Sequence, residues 1–216
     1  VLHNNCSGKH SGMLAFAKFM GEPIRNYIDP QHQIQRRIHN LLAWFAGVAE
    51  DEVAIAIDGC SAPVFGLTLA AMAHSYARLV GVRSIHMDVK PELLAAAERV
   101  VDSMVTFPEM VGGSRGRLDT DLMRATNGAV VSKVGAEGVQ LLGVRPCRLY
   151  PKGLGIAIKI EDGDTRRARD PVVIETLRQL GLLDGDQLEW LSRYSHAVLL
   201  NYRKLEVGEV RTCFNL

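Results

Sequence analysis

Residues 128–145 read GAVVSKVGAEGVQLLGVR, and the parsing of this stretch decides the fold. Two aliphatic, β-branched runs, 129–133 and 139–145, flank the short link Gly135-Ala136-Glu137-Gly138. Branched side chains suit a pleated surface, and a link of three to five residues containing glycine reverses the chain. The stretch therefore predicts an antiparallel hairpin. A third run, 154–161, extends it to a meander, and helices near 171–180 and 186–194 precede a strand-like tail.

Upstream of this sheet the texture is helical. Met13, Leu14, Phe16 and Ala17 recur at helical spacing and stop at Gly21. Asp29-Pro30 reads as an N-cap followed by proline at the first helical position, ahead of Ile34, Ile38, Leu41, Leu42 and Phe45, with Gly47 as the stop. The all-apolar run 53–57 predicts a buried strand feeding the tight turn Asp58-Gly59. Helices are predicted over 66–79, 91–104 and 119–126. Helices first and consecutive strands after predict an α+β fold, with helices packed on an antiparallel sheet. It is read as one domain over 1–216, mainly helical to 127 and sheet with C-terminal helices from 128.

With 216 residues, 47% hydrophobic and 23% charged, the chain can bury a core and is globular in composition. A net charge of +1 with interleaved signs gives no electrostatic case for nucleic acid or an anionic membrane. No apolar run approaches a membrane span, and the first residues lack the pattern of a signal peptide, so a cytoplasmic location is expected. The four cysteines, Cys6, Cys60, Cys147 and Cys213, lie far apart, which favours reduced thiols serving as ligands or core filler over disulfides.

Two clusters carry chemistry. Cys6-Ser7-Gly8-Lys9-His10 places a thiol, a hydroxyl, an amine and an imidazole at a loop-to-helix junction, and Asp58-Gly59-Cys60-Ser61-Ala62-Pro63 follows a strand. Taken singly, the first is equally a helix entry with a buried Cys6, and the second a turn with a core cysteine. Together they offer two thiolates, a carboxylate and an amine, a set that suits zinc. Lysine is an uncommon ligand, because it must lose a proton against a reference pKa of about 10.4, and a neighbouring dication favours that loss. His32 and His39 read as a solvated helix face, Trp44 and Trp190 as core, and Arg166-Arg167-Ala168-Arg169, after Asp162-Gly163-Asp164, as a solvated loop. Cys147 and Cys213 read as inert.

The stretches His3 to Met13, Tyr27-Ile28-Asp29-Pro30-Gln31-His32 and 58–63 closely resemble the bacterial asparaginase II family, the rhizobial thermolabile type. Met110-Val111-Gly112-Gly113, Arg117-Leu118-Asp119-Thr120, 132–138 and Val207-Gly208-Glu209 continue the resemblance over essentially the whole chain. It implies a fold like that of serine β-lactamases and glutaminases, hydrolysis of L-asparagine to aspartate and ammonia, and a homodimer. It also implies zinc held by Cys6, Lys9 and Cys60, with Asp58 joined through water. Lys133 then falls where β-lactamase-like enzymes carry the lysine of their K-T-G strand, supporting a serine hydroxyl as proton acceptor. Glu137 belongs to the same stretch without an assigned role.

Family members carry a Ser-x-x-Lys pair and a second serine ahead of the Cys6 motif. No Ser-x-x-Lys occurs here, and Ser7 and Ser61 read as turn-capping hydroxyls rather than nucleophiles. The chain opens at Val1 rather than at a methionine, and it is expected to be the C-terminal part of a longer enzyme, catalytically incompetent alone and with apolar surface uncovered. Two other readings stay open: a glutaminase or another amidase on the same fold, and a non-catalytic zinc-binding fragment.

Overall fold

A computed structural model describes residues 6–84, 89–163 and 167–216. His3, Asn4 and Asn5 of the first motif, and Asp164 and Arg166 of the expected loop, lie outside the described residues. The chain forms two compact units, Val1–Ala71 and Met72–Leu216.

In the first unit, helix α1 (Ser7–Phe19) and helix α2 (Gln33–Ala46) pack through Met13, Ala17 and Ile34, and Ala62 joins their core. The start of α2 differs from the sequence expectation. His32 is the N-cap, its ring nitrogen accepting from the Ile34 N–H, while the Asp29 carboxylate takes the Gln31 N–H at 2.8 Å. Asp29 is thus spent on its own turn, and Pro30 precedes the helix instead of opening it. His32 is accordingly a cap and not part of a solvated face. Gly47 ends the helix with φ of +70°, a left-handed conformation that glycine adopts without steric cost.

Strands β1 (Ala54–Ile57) and β2 (Pro63–Gly66) form an antiparallel hairpin running from Ala54↔Gly66 to Ile57↔Pro63. The expectation of a buried strand at 53–57 is corrected here. Every residue of β1 is exposed, with Ile57 at 59%. An apolar run is buried on both faces only when a layer covers each face, and a two-stranded ribbon supplies neither.

The second unit is built on the expected meander. Strands β3 (Val130–Val134), β4 (Val139–Val144) and β5 (Leu154–Lys159) are antiparallel in the order β3-β4-β5. Alternate residues serve opposite faces, as period-two geometry requires. Val130, Leu142 and Val144 meet helix α6 (Leu118–Ala125) and helix α7 (Arg169–Gln179) in the largest core. Val131 turns the other way, to Val80 of helix α3 (Leu69–Val80) and Val101 of helix α4 (Pro91–Thr106). On that face α3 comes very close to the sheet. A Cβ at Gly155 would overlap the Ala73 carbonyl and lie 2.6 Å from the Ala77 nitrogen.

A short helix α5 (Pro108–Gly112), unforeseen in the sequence, links α4 to α6. Helix α8 (Gly185–Trp190) and a hairpin of β6 (Ala197–Leu200) with β7 (Glu206–Val210) complete the unit. Trp190 is 51% exposed at the end of α8, so it is not core, whereas Trp44 is half-buried and edge-on to Phe45. Arg169 is the second correction of this kind. It is buried in the first turn of α7, where Asp170 balances its charge and removes the cost that would otherwise keep it in water. Among the described residues no helix is long and apolar enough to cross a membrane.

Candidate functional site

The first cluster forms at a helix entry and a hairpin turn. Cys6 is the N-cap residue of α1, without a side-chain cap bond, and Lys9 lies three residues on, on the same side of the helix. The five-residue turn of the β1–β2 hairpin is closed by Asp58 N–H to the Ala62 carbonyl at 2.9 Å and Ser61 N–H to the Asp58 carbonyl at 2.8 Å. Ser61 adopts φ of +70° there and is exposed. This turn places the Asp58 carboxylate between the other groups: Oδ2 accepts from Lys9 Nζ at 3.0 Å and from Cys60 Sγ at 3.3 Å. Oδ1 takes the Gly59 N–H at 2.7 Å.

One ligand atom each from Cys6, Asp58 and Cys60 lies within 4.8 Å of the other two. Sulfur, sulfur and carboxylate oxygen with an amine alongside form a borderline-soft donor set, so the residues present fit a zinc ion. The charges are arranged around that carboxylate. Hydrogen bonds from Lys9, then from Cys60 and the Gly59 N–H, hold the Asp58 carboxyl below its usual range. Burial works to lower the Lys9 amine, but hydrogen bonds to Asp58 and Cys60 outweigh it and leave it raised. The Cys6 thiol is raised, first by its hydrogen bond with Cys60. Lys9 is therefore an ammonium paired with Asp58 in this arrangement. Serving as a ligand would require it to exchange a proton and that carboxylate for the ion.

Lys133 belongs to the other compact unit, on β3, where it is half-buried and its Nζ donates to the Val134 carbonyl at 2.6 Å. Its neighbour Ser132 is fully buried and gives its hydroxyl proton to Asp119 of α6 at 2.7 Å. A hydroxyl committed in this way is a structural donor. Asp119 is itself a group that the sequence analysis did not single out, beyond its place in the Arg117 to Thr120 motif.

The remaining candidates fall elsewhere. Cys147 and Cys213 are exposed thiols, neither ligands of the cluster nor core filler. His39 stacks on Phe65, with ring centroids 5.7 Å apart. Glu137 is exposed at the β3–β4 turn with φ of +57°, and its carbonyl accepts from Lys159.

A family model described as L-asparaginase II matches residues 1–212. A search of curated proteins found no match.

Proposed function

Because the chain belongs to the L-asparaginase II family, we propose that it acts in the hydrolysis of L-asparagine to aspartate and ammonia. The match across 212 residues carries the proposal. The gathered Cys6, Lys9, Asp58 and Cys60 support its finer detail, a zinc site in which Asp58 acts through water.

The chemistry is acyl transfer through a serine ester. Lys133, on the edge of the sheet, works in the general-base network that accepts the serine proton and later returns it to the leaving ammonia. Backbone N–H groups stabilise the oxyanion. No Ser-x-x-Lys pair occurs in residues 1–216, and no serine within them is assigned the nucleophile's role. Zinc, when bound, supplies positive charge that orients the pocket or the substrate. The chain's own share of that work is the Asp58 carboxylate, which keeps Lys9 and Cys60 facing each other. A cytoplasmic homodimer completes the reading.

The test is ammonia and aspartate release from L-asparagine by the full-length protein, compared with release from L-glutamine. Asparagine is expected to be the better substrate by kcat/KM. A preference for glutamine would make the protein a glutaminase on the same fold, and no release from either would leave a zinc-binding protein.

A further inference from the structure

We infer that Asp119 is the positioning residue for Lys133. The inference rests on the role given to Lys133 above. Among the described residues β3 is an outer strand, paired with β4 on one side. Gly135 donates its N–H to the Val139 carbonyl at 2.8 Å, so Gly135 points toward the β4 side. Strand residues alternate, and the peptide groups of Val134 therefore point to the outer edge.

Both edge groups of Val134 are used. Its N–H donates to Asp119 Oδ2 at 3.1 Å, and its carbonyl accepts from Lys133 Nζ at 2.6 Å. Asp119 thus anchors, through its N–H, the residue whose carbonyl the lysine amine rests on. Its other oxygen, Oδ1, accepts from the Ser132 hydroxyl at 2.7 Å and from Gln140 Nε2 at 2.8 Å. The carboxylate grips β3 on both sides of Lys133, and it is itself buried, at 3% exposure.

The seat of Asp119 accounts for the 110–113 and 117–120 motifs. The Arg117 Nε donates to the Gly112 carbonyl at 2.7 Å, and the Thr120 hydroxyl donates to the Gly113 carbonyl at 2.7 Å. A Cβ at Gly112 would lie 2.9 Å from the Asp119 Cβ and 2.6 Å from the Thr120 hydroxyl oxygen. The 110–113 and 117–120 segments are therefore locked together with no room for a side chain at Gly112. The end of α5 and the start of α6 hold the carboxylate where β3 needs it.

The experiment compares wild type, Asp119→Asn and Asp119→Ala in the full-length protein, reading kcat, KM, thermal unfolding and amide exchange at Val134. Asparagine can still offer one oxygen to Val134, so the expected order of kcat is wild type, then Asn, then Ala. The alanine variant should lose about 10²-fold in kcat, the scale of a misplaced catalytic group, with KM nearly constant. Exchange at the Val134 amide should accelerate at least tenfold in Asp119→Ala, because its N–H loses its acceptor. If the alanine variant does not fold, the asparagine variant decides by the same readouts. Wild-type kcat and wild-type Val134 exchange in a folded variant would overturn the inference. If the wild type itself hydrolyses no asparagine, the functional reading fails while the exchange measurement still decides whether Asp119 holds β3.

Discussion

A single carboxylate oxygen organises the thiol cluster, since Asp58 Oδ2 accepts from both Lys9 and Cys60. That pattern makes Cys60→Ala and Asp58→Asn distinguishable. On the proposed zinc site, Cys60→Ala deletes a ligand, and zinc measured by mass spectrometry on the purified protein should fall from about one per chain to near zero. On the same proposal Asp58→Asn removes an outer partner, and zinc affinity should weaken about 10–100-fold, as measured by competition with a chelator. Equal zinc content in wild type and Cys60→Ala would remove the cluster from metal binding. These residues were legible in the sequence because their chemistry is local: a thiol three residues from an amine, and a carboxylate two from a thiol. Asp119 was not. An acidic residue in the first turn of a helix is ordinarily explained by the helix dipole, and nothing in the spacing shows that Ser132 and Gln140, 13 and 21 residues away, converge on it.

The elements that alternate clearly were the legible ones. The β3–β5 meander has glycine-bearing turns and a strict two-residue period, and both survive in the structure. The 53–57 run misled because an unbroken apolar stretch signals burial on both faces, while covering layers are a tertiary matter. His32 took the cap position from Asp29 for a similarly local reason that residue preferences do not rank. Gly155→Ala tests the closeness of α3 to the sheet. Overpacking there should cost about 1–3 kcal/mol or more in urea unfolding, and an unchanged midpoint would contradict the contact. On α7, the Arg178 guanidinium and the Gln179 amide hold the Glu175 carboxyl down to about 2, against an ordinary value of 4.5. The folded value is the lower one, so its stabilisation is full above pH 4.5 and fades as pH falls toward 2. Arg178 reaches into solvent, with its side chain 53% exposed, and that screening keeps the effect small. Glu175→Gln should therefore lower the urea midpoint slightly at neutral pH and match wild type near pH 2.

At the scale of the whole molecule, both hairpins carry exposed apolar side chains. Ile55 and Ile57 stand out on β1, and Leu200 and Val207 on β6 and β7. Apolar side chains exposed on a strand are candidates for covering by a partner in the working protein. A homodimer is expected, and sedimentation equilibrium of the full-length protein should give twice its chain mass; a monomer mass throughout would remove the dimer. The family and the α+β class were legible because both depend on motifs and periodicity spread along the chain. The exposed hairpins were not, because covering is a property of what surrounds an element.

In the proposed mechanism Lys133 is a base in amide hydrolysis. Steady-state ammonia release from L-asparagine by full-length Lys133→Ala, with folding checked by circular dichroism, decides that role. A loss of at least about 10²-fold in kcat is the expected result, the scale of general acid–base catalysis. Wild-type turnover in the folded variant would contradict it.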